Sequence, residues 1–204
     1  MLTTAALTFA QSRLAGLLRP GDVTVDATAG NGHDALFLAR RTAPGGVVHC
    51  FDVQAEALER TNRLLAGAGL AGAARLHAVG HEGLGQALPA GDHGRVRAVV
   101  FNLGFRPGGD RSVVTRPDTT LAALDAALAV LAPDGLAAVV CYTGHEGGPE
   151  EAAAVDAFCR GLDFAAWRAA RYELVNKPGD PIVAYLVEGT AARTPACRPE
   201  SGAG

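Results

Sequence analysis

Residues 23–34 of this sequence read VTVDATAGNGHD, and this stretch decides the fold. It begins as a short apolar strand, passes through a turn rich in Gly and Ala, and enters a helix. Gly30, Gly32 and Ala35 have the spacing G-x-G-x-x-G/A, and glycine in such a loop permits a tight turn and a close approach of the backbone to a ligand. The stretch therefore predicts a loop that binds a nucleoside-bearing cofactor.

An acidic residue follows this loop at a suitable distance. Asp52 ends the next apolar run, 22 residues after Gly30, and a carboxylate at that place accepts hydrogen bonds from the ribose hydroxyls of such a cofactor. The glycine spacing alone is weak evidence, but the strand, the helix and Asp52 strengthen it together. The alternative role for Asp52 is to cap the helix that follows it.

Composition limits the class of protein. A chain of 204 residues is long enough for one domain with a substantial core. Its 49% hydrophobic and 19% charged residues are typical of a globular protein and not of a disordered one. The net charge of −3 argues against a generally basic nucleic-acid surface, although it leaves room for a local basic patch.

The cysteines and the first residues of the chain indicate the cellular compartment in which the protein works. The four cysteines have no metal-ligand spacing, so we expect no metal site and a reducing, cytoplasmic setting. Residues 1–20 lack the basic region and the long apolar region of a signal peptide. The chain contains no run of about 18 apolar residues, and we therefore expect no membrane span.

Strand patterns and helix patterns alternate along the chain. The predicted strands cover residues 23–27, 47–52, 74–79, 96–102 and 136–142. The predicted helices cover residues 5–18, 34–41, 55–68, 82–88, 118–131 and 150–159. Two further alternating segments, 165–175 and 182–187, flank a turn and predict a closing antiparallel pair. The alternation predicts an α/β fold with a parallel, doubly wound sheet and helices on both faces.

Sheets of this kind bind ligands outside the carboxyl ends of their strands. The unusual polar residues of this sequence lie at those ends, in the stretches 26–34, 52–54, 80–82, 102–110 and 142–146. This coincidence indicates an enzyme. We expect a single domain over residues 1–188, followed by a disordered tail over residues 189–204, which are rich in Ala, Pro and Gly.

Five blocks of sequence carry a resemblance to a known family. They are VDATAGNGHDALFLA, FDVQ, VGHEGL, FNLGFRPGGDRSVVTRPDTT and VVCYTGHEGGPEEAAAV. They resemble small class I methyltransferases that use S-adenosylmethionine, a YtqB-like family long labelled "putative rRNA methylase". Members are associated with the tRNA wobble position, where they methylate the amine of 5-aminomethyl-2-thiouridine. The resemblance spans roughly residues 5–188.

The resemblance implies a fold, a cofactor and a partner. The implied fold is a Rossmann-like class I methyltransferase fold with a mostly parallel seven-stranded sheet and a C-terminal antiparallel hairpin. The implied cofactor is S-adenosylmethionine. The implied partner is tRNA, whose anticodon loop can insert an unstacked base into a narrow pocket. A two-fold homodimer would be usual for so small an RNA enzyme.

The implied cofactor site joins the glycine loop to the ends of the second and third strands. Asp26 would order the loop or meet the amino group of the methionine moiety. The other implied contacts are Gly30, Asn31, Gly32 and His33 in the loop, Asp52 at the ribose, Gln54 beside the adenosine, and His81 with Glu82 at the adenine. The alternatives are a turn with helix-capping groups for the loop and an exposed turn for residues 81–82.

The implied catalytic motif is Asn102-Leu103-Gly104-Phe105. Amine methyltransferases carry a motif such as N-P-P-Y there, in which an oxygen holds the nucleophile in line with the methyl group and an aromatic ring packs on the substrate. This sequence has Leu-Gly in place of Pro-Pro and Phe in place of Tyr. Asn102 would orient the nucleophile and bind beside the cofactor, and its alternative role is that of a buried structural Asn.

Two ionisable residues are candidates for handling the proton of an amine. Asp110 lies in the loop Pro-Gly-Gly-Asp, where its carboxylate could bind an ammonium group, and its alternative role is that of a turn residue. His145 follows the fifth strand and is a candidate proton acceptor, or it shapes the loop before Glu150. Tyr142 ends the same strand and is expected at the substrate.

Three arginines surround Asp110 in sequence and would form a cationic rim that contacts RNA phosphates. They are Arg106, Arg111 and Arg116. The alternative is an ordinary solvated loop.

Two other classes of protein compete with the methyltransferase. A short-chain nicotinamide-dependent oxidoreductase needs a Tyr-x-x-x-Lys pair, but the only lysine, Lys177, follows Tyr172 at the wrong spacing. A non-catalytic nucleotide- or RNA-binding module is the second competitor. It predicts that the stretches 102–110 and 142–146 do not converge on one pocket. Within the methyltransferases, rRNA, tRNA and small-molecule substrates stay open on the residues alone.

Overall fold

The computed structural model describes residues 5–105, 108 and 114–190. Its centre is a seven-stranded sheet in the order β3-β2-β1-β4-β5-β7-β6. The strands are β1 (Val23–Asp26), β2 (Val47–Phe51), β3 (Ala74–His77), β4 (Val96–Leu103), β5 (Leu131–Tyr142), β6 (Trp167–Glu173) and β7 (Ile182–Gly189). The first five strands are parallel, and β7 is antiparallel to both β5 and β6. The predicted sheet and its closing antiparallel pair are confirmed.

Helices cover both faces of the sheet. They are α1 (Ala6–Leu17), α2 (His33–Thr42), α3 (Ala55–Gly67), α4 (Leu84–Ala87), α5 (Pro117–Val130) and α6 (Gly148–Gly161). Alternate residues of β4 serve the two faces: Val99 and Phe101 pack with α4, α5 and α6, whereas Ala98 and Val100 pack with α1, α2 and α3. Since strands of this kind are buried on both sides, they read as continuous apolar runs.

The strand order reverses at β1, which lies between β2 and β4. In a doubly wound sheet the crossover connections on either side of such a point run in opposite directions, and this leaves a crevice at the carboxyl ends of the strands. The crevice therefore opens where β1 and β4 end, at the glycine loop and at Asn102.

The fifth strand begins earlier than the sequence pattern predicts. β5 starts at Leu131, directly after α5 ends at Val130. Its pairing with β4 is irregular between Val96 and Ala98. Gly135 lies in this irregular part, where a Cβ atom would lie 2.9 Å from the carbonyl oxygen of Val96. The Pro-Asp-Gly sequence at 133–135 therefore forms a bulge inside the strand instead of a loop before it.

Three other predicted elements differ in extent. The helix expected over residues 82–88 is a short 3₁₀ turn at His81–Gly83 followed by α4, since the two glycines there disfavour a continuous helix. The third strand ends at His77 instead of residue 79. The stretch between β4 and α5, for which no element is predicted, contains an isolated bridge between Phe105 and Val114. Most of the predicted tail, residues 191–204, lies outside the described residues.

Within the described part of the chain, none of the helices has the length and apolar character that crossing a bilayer requires.

Candidate active site

A cavity of about 720 Å³ lies in the crevice at the carboxyl ends of the strands. The loops after all five parallel strands contribute to its wall, and so do Leu7 of α1 and the first residues of α5. We call residues 27–33, 52–54 and 80–82 the cofactor half of this wall. We call Asp34 and residues 102–105, 114–116 and 142–145 the acceptor half. The two halves meet in one cavity, which is the convergence that a non-catalytic module does not predict.

Asp52 joins the glycine loop to the start of α3. One carboxylate oxygen accepts a hydrogen bond from the backbone N–H of Gly30 at 2.9 Å, and the other accepts one from the N–H of Gln54 at 2.8 Å. Asp52 thus holds the residue that precedes α3, whose N-cap is Gln54 and not Asp52. A carboxylate offers about four lone-pair sites, so these two bonds leave acceptor capacity for ribose hydroxyls.

Gly32 is required by packing. Its φ is +83°, and a Cβ atom would lie 2.8 Å from the Cα of Thr61. Any side chain at this position would push α3 away from the start of α2. The glycine at this position therefore allows the contact between α2 and α3 as well as the turn. Its neighbours Asn31 and His33 line the cavity.

Asp26 lies behind the glycine loop. It is 1% exposed, and its Oδ1 accepts a hydrogen bond from the N–H of Thr28 at 3.2 Å. Burial raises the pKa of Asp26 to about 8, and the neighbouring carboxylate of Asp34 adds to the rise. Of the two predicted roles, its position favours ordering the loop, because Asp26 is not among the described residues that line the cavity.

His81 and Glu82 form the far wall of the cofactor half. His81 is buried, with its ring edge-on to Phe101 at 6.1 Å between centroids. Burial lowers the pKa of His81, so the ring is neutral near pH 7. Its Nε2 is buried without a hydrogen-bond partner among the described residues. Glu82 is exposed and folds back over Gly80, and Gln54 completes this side of the wall.

Asn102 stands at the junction of the two halves. Its backbone N–H donates to the hydroxyl of Thr28 at 2.8 Å, which fixes the end of β4 against the glycine loop. Its side-chain Nδ2 donates to Oδ2 of Asp34 at 2.5 Å. Its Oδ1 is buried and has no partner in the described part of the chain. Asn102 lines the cavity, so this oxygen is an acceptor available to a ligand.

Asp34 receives a second side-chain hydrogen bond. Nε2 of Gln11, on α1, donates to its Oδ1 at 2.9 Å. Burial raises the pKa of the Asp34 carboxyl group, while the bonds from Gln11 and Asn102 act in the opposite direction. Three side chains from α1, α2 and β4 are thereby connected in a row that ends at the cavity.

One buried carboxylate, that of Glu151, keeps the backbone of the acceptor half in place. Glu151, 1% exposed, accepts hydrogen bonds from the hydroxyls of Thr115 at 2.7 Å and Thr120 at 2.6 Å. The Thr115 hydroxyl in turn accepts the N–H of Gly104 at 2.9 Å, and the Thr115 N–H donates to the Gly104 carbonyl at 3.2 Å. Glu151 therefore fixes both ends of the segment that begins after Phe105 and ends before Val114.

The backbone at Gly104 explains one departure from the related motif. Its φ is +150°, which a proline cannot adopt because its ring holds φ near −65°. The Gly104 N–H is also a donor, which proline lacks. The Leu-Gly sequence thus has a local geometry that Pro-Pro cannot form, while Leu103 is a core residue.

His145 and the aromatic residues lie on the acceptor side. The Nδ1 of His145 donates to the Glu146 carbonyl at 2.9 Å, so a neutral ring carries its lone pair on Nε2. That Nε2 is buried without a partner among the described residues, and a Cβ on Gly104 would lie 3.4 Å from it. The Phe105 ring packs edge-on against His145, and Tyr142 lines the cavity beside them.

Three predicted residues lie outside the described part of the chain, namely Arg106, Asp110 and Arg111. Arg116 is exposed just before α5 and lines the cavity, and its contact with RNA phosphates stays a prediction. Among the described residues, no group of three or more His, Cys, Asp and Glu side chains could hold a metal ion.

The residues present fit S-adenosylmethionine. The cavity volume falls within the roughly 300–1,000 Å³ of small-molecule sites. Buried polar atoms of His81, Asn102 and His145 lack partners among the described residues, and native proteins rarely leave such atoms unsatisfied unless a ligand or water meets them. The carboxylate at Asp52 and the tight loop at Gly30 complete a site for a nucleoside and an amino-acid group.

The sequence pattern did not identify five residues that shape this site. They are Gln11, Thr28, Asp34, Thr115 and Glu151. Asp34 is predicted only as a helix N-terminal residue, although its position after the glycine loop is a usable signal. Gln11 is a polar residue in a largely apolar helix, whereas the burial of Glu151 has no local signal because a first-turn acid is common on exposed helices.

Comparison with known proteins agrees with this geometry. The family model described as "Putative rRNA methylase" matches residues 48–188. A curated relative from Arabidopsis thaliana, named "tRNA (mnm(5)s(2)U34)-methyltransferase, chloroplastic", is 38% identical over 178 residues. The match covers 83% of this chain and 64% of the relative, so this chain spans about two thirds of the relative's length. The chain belongs to the family described as "Putative rRNA methylase", as the five sequence blocks predict.

Solved structures show the same fold over nearly the whole chain. A "putative rRNA-methylase" from Clostridium thermocellum is 33% identical with a TM-score of 0.89, and the match covers 93% of this chain and 100% of that one. A "putative methyltransferase" from Streptococcus mutans, solved in complex with SAH, is 29% identical with a TM-score of 0.83 and the same coverage. The predicted Rossmann-like class I methyltransferase fold is confirmed, and the predicted enzyme class and cofactor agree with these relatives.

Proposed function

We propose that this protein is an S-adenosylmethionine-dependent methyltransferase that modifies tRNA. The proposed substrate group is the amine of 5-aminomethyl-2-thiouridine at the wobble position. The observation that carries the proposal is a pair of acceptors, Asn102 Oδ1 and His145 Nε2, that have no partner among the described residues. Asn102 and His145 line a cavity that the glycine loop and Asp52 also line. The name of the Arabidopsis thaliana relative supports the choice of nucleotide.

The cofactor half holds S-adenosylmethionine in this proposal. Asp52 accepts hydrogen bonds from the ribose hydroxyls with the lone pairs that Gly30 and Gln54 leave available. The loop over residues 30–33 lies at the methionine moiety, ordered from behind by Asp26. His81, as a neutral ring, and Glu82 lie at the adenine.

The acceptor half prepares the amine. An aliphatic amine is largely protonated at neutral pH and must lose a proton before it can attack. Asn102 Oδ1 accepts a hydrogen bond from the neutral amine and directs its lone pair, and this positioning supplies much of the rate of a direct displacement. Bound S-adenosylmethionine supplies a methyl group on a positively charged sulfur, and transfer forms a C–N bond, breaks the S–C bond and leaves a neutral thioether. His145 Nε2 or water takes the proton that the ammonium form loses before the attack, and the product leaves as the methylated ammonium.

The remaining predictions belong to the same proposal. The anticodon loop of tRNA presents the base, Phe105 and Tyr142 pack on it, and Arg116 with Arg106 and Arg111 contacts phosphates. Asp110 binds the ammonium form of the substrate. The catalytic domain covers residues 1–188, and the assembly is a homodimer. The three described free cysteines, all buried, support a reducing compartment such as the cytoplasm.

The first test is methyl transfer from labelled S-adenosylmethionine to tRNA from cells that lack the gene for this protein. Nucleoside mass spectrometry should show one added methyl group on 5-aminomethyl-2-thiouridine. Bulk rRNA serves as a parallel substrate, because the family description favours it as the second candidate. Transfer to rRNA alone would overturn the tRNA proposal but keep the enzyme class. Binding of S-adenosylmethionine without transfer to any RNA would move the search to small amines.

The matched control for this assay is the Asn102→Ala variant. It should bind S-adenosylmethionine and transfer little methyl group, which shows that the labelled product arises in this site and not from a contaminating enzyme.

A further inference from the structure

We propose that Gln11 and Asp34 are positioning residues that decide which atom of the Asn102 amide faces the substrate. The proposal rests on the proposed amine substrate and adds how this chain selects an acceptor over a donor at the reacting nitrogen. Neither residue belongs to the Asn102-Leu103-Gly104-Phe105 motif, and Gln11 lies 91 residues before Asn102 in the chain.

The first step of the argument is the two-sided character of an amide. The Asn side chain offers an oxygen that accepts and an NH₂ group that donates. Only the oxygen can accept a hydrogen bond from an amine whose lone pair must point at a methyl group. If the amide were turned by half a revolution, its NH₂ would face the amine and compete for that lone pair. The orientation of Asn102 is therefore a catalytic requirement.

The second step is the carboxylate behind the amide. Asp34 Oδ2 accepts a hydrogen bond from Asn102 Nδ2 at 2.5 Å, and the negative charge of a carboxylate strengthens a bond of this kind. A carboxylate accepts only, so the turned amide would place its oxygen against a negative oxygen. Asp34 thus holds Nδ2 by a hydrogen bond, and Oδ1 is left without a partner among the described residues, in a side chain that lines the cavity.

The third step is the support of Asp34 from α1. Gln11 donates to the other carboxylate oxygen, Oδ1, at 2.9 Å. The helix that carries Gln11 is held on the sheet by the stacked rings of Phe9 and Tyr172, whose centroids are 4.0 Å apart. Gln11 therefore fixes the plane of the Asp34 carboxylate, so that Oδ2 points at Asn102.

The test is a set of variants in the tRNA assay, with cofactor affinity measured by calorimetry. Asp34→Ala should lower kcat about tenfold, less than the roughly hundredfold cost of misplacing a reacting group completely. The dissociation constant of S-adenosylmethionine should change less than threefold. Asp125→Ala, an exposed acid on α5, is the matched control and should keep kcat. A kcat within twofold of wild type for Asp34→Ala would overturn the proposal.

A pair of double variants tests the direction of the hydrogen bonds. In Asp34→Asn with Gln11→Glu, the acid at position 11 accepts from the new amide and turns its oxygen toward Asn102. In Asp34→Asn with Gln11→Lys, the ammonium donates to that oxygen and turns the NH₂ group toward Asn102 instead. The Glu pair should retain at least about threefold more kcat than the Lys pair. Equal kcat values for the two double variants at equal cofactor affinity would overturn the proposal. A merely structural role does not depend on which atom of the amide at position 34 faces Asn102.

A measurement without substrate separates this proposal from the proposed function. In a ¹⁵N-labelled protein, one Nδ2 proton of Asn102 should resonate downfield of the other side-chain amides and return to the ordinary range in Asp34→Ala. An ordinary shift in the wild type would overturn the positioning role even if tRNA is methylated. A downfield proton with no methylation of tRNA would keep the positioning role and reject the substrate.

Discussion

The two halves of the cavity are built in different ways. In the cofactor half, the hydrogen bonds that shape the wall join Asp52 to backbone groups 22 and 2 residues away. In the acceptor half, they join side chains that are 68, 36 and 31 residues apart, as between Asn102 and Asp34 or between Glu151 and its two threonines. The cofactor half is thus a local motif, whereas the acceptor half exists only in the folded chain.

This difference suits the two tasks. A loop that holds a common cofactor can reuse one backbone geometry, because backbone N–H groups are present whatever the neighbouring sequence is. A site that orients a particular nucleophile needs specific side-chain atoms at specific angles, and such atoms stay in place only when buried partners hold them. We therefore expect substitutions in the two halves to separate cofactor binding from turnover.

The largest effect is expected at the junction of the halves. Asn102→Ala removes the acceptor that orients the amine, so kcat should fall about a hundredfold or more while the Kd of S-adenosylmethionine stays within threefold. Single-turnover methylation of tRNA and calorimetry measure the two quantities. Asn62→Ala, an exposed change on α3, is the control. A matching loss of cofactor affinity would show that Asn102 belongs to the cofactor half.

Asp52→Ala should have the opposite pattern. It removes the ribose contact and also releases Gly30 and Gln54, so S-adenosylmethionine should bind about thirtyfold more weakly, or about 2 kcal/mol. At saturating cofactor, kcat should recover most of its wild-type value. Glu59→Ala, an exposed acid on the same α3, should change neither quantity. Intact cofactor affinity in Asp52→Ala would reduce the role of Asp52 to its hydrogen bonds with Gly30 and Gln54.

Glu151→Ala tests the support that this buried carboxylate gives to the acceptor half. The change removes the hydrogen-bond acceptor of the Thr115 and Thr120 hydroxyls. It should therefore lower the free energy of unfolding by about 2 kcal/mol. The loosened Gly104 should lower kcat about tenfold, with cofactor affinity maintained. Denaturant unfolding and the tRNA assay measure these effects. Glu150→Ala, the exposed neighbour in the same helix turn, is the matched control. A variant that loses stability but keeps kcat would limit Glu151 to folding.

A separate prediction concerns stability and not turnover, namely how the free energy of unfolding depends on pH through Asp26. The pKa of Asp26 is raised from 3.8 to about 8 in the folded protein, so the folded state binds more protons than the unfolded state between these values. The stability that the protonated carboxyl contributes is therefore lost as pH rises from about 4 to about 8, with a limiting slope of about 1.4 kcal/mol per pH unit.

Asp26→Asn keeps the shape of the protonated form and should remove this contribution. Its free energy of unfolding should match the wild type near pH 4 and exceed it by a growing margin up to pH 8. Urea unfolding at a series of pH values measures the difference. Parallel curves for the two proteins would show that Asp26 is ionised in the folded state throughout.

The sequence by itself determined the sheet, the glycine loop and the carboxylate that follows it. Each of these depends on interactions within a short window: apolar runs form strands buried on both faces, Gly30 turns the chain, and Asp52 bonds to nearby backbone. The resemblance added the family and the place of Asn102. The prediction of the sheet succeeded because apolar periodicity is visible in a short stretch of chain. The roles of Asp52 and Asn102 at a ligand stay predictions.

Only the tertiary structure decided what surrounds the nucleophile. The bulge that starts β5 at Leu131 depends on the pairing of this strand with β4. The row from Gln11 through Asp34 to Asn102, and the burial of Glu151, arise from contacts between distant elements. A sequence window records the polarity of such residues but not their partners, because burial and hydrogen-bond direction are properties of the assembled fold.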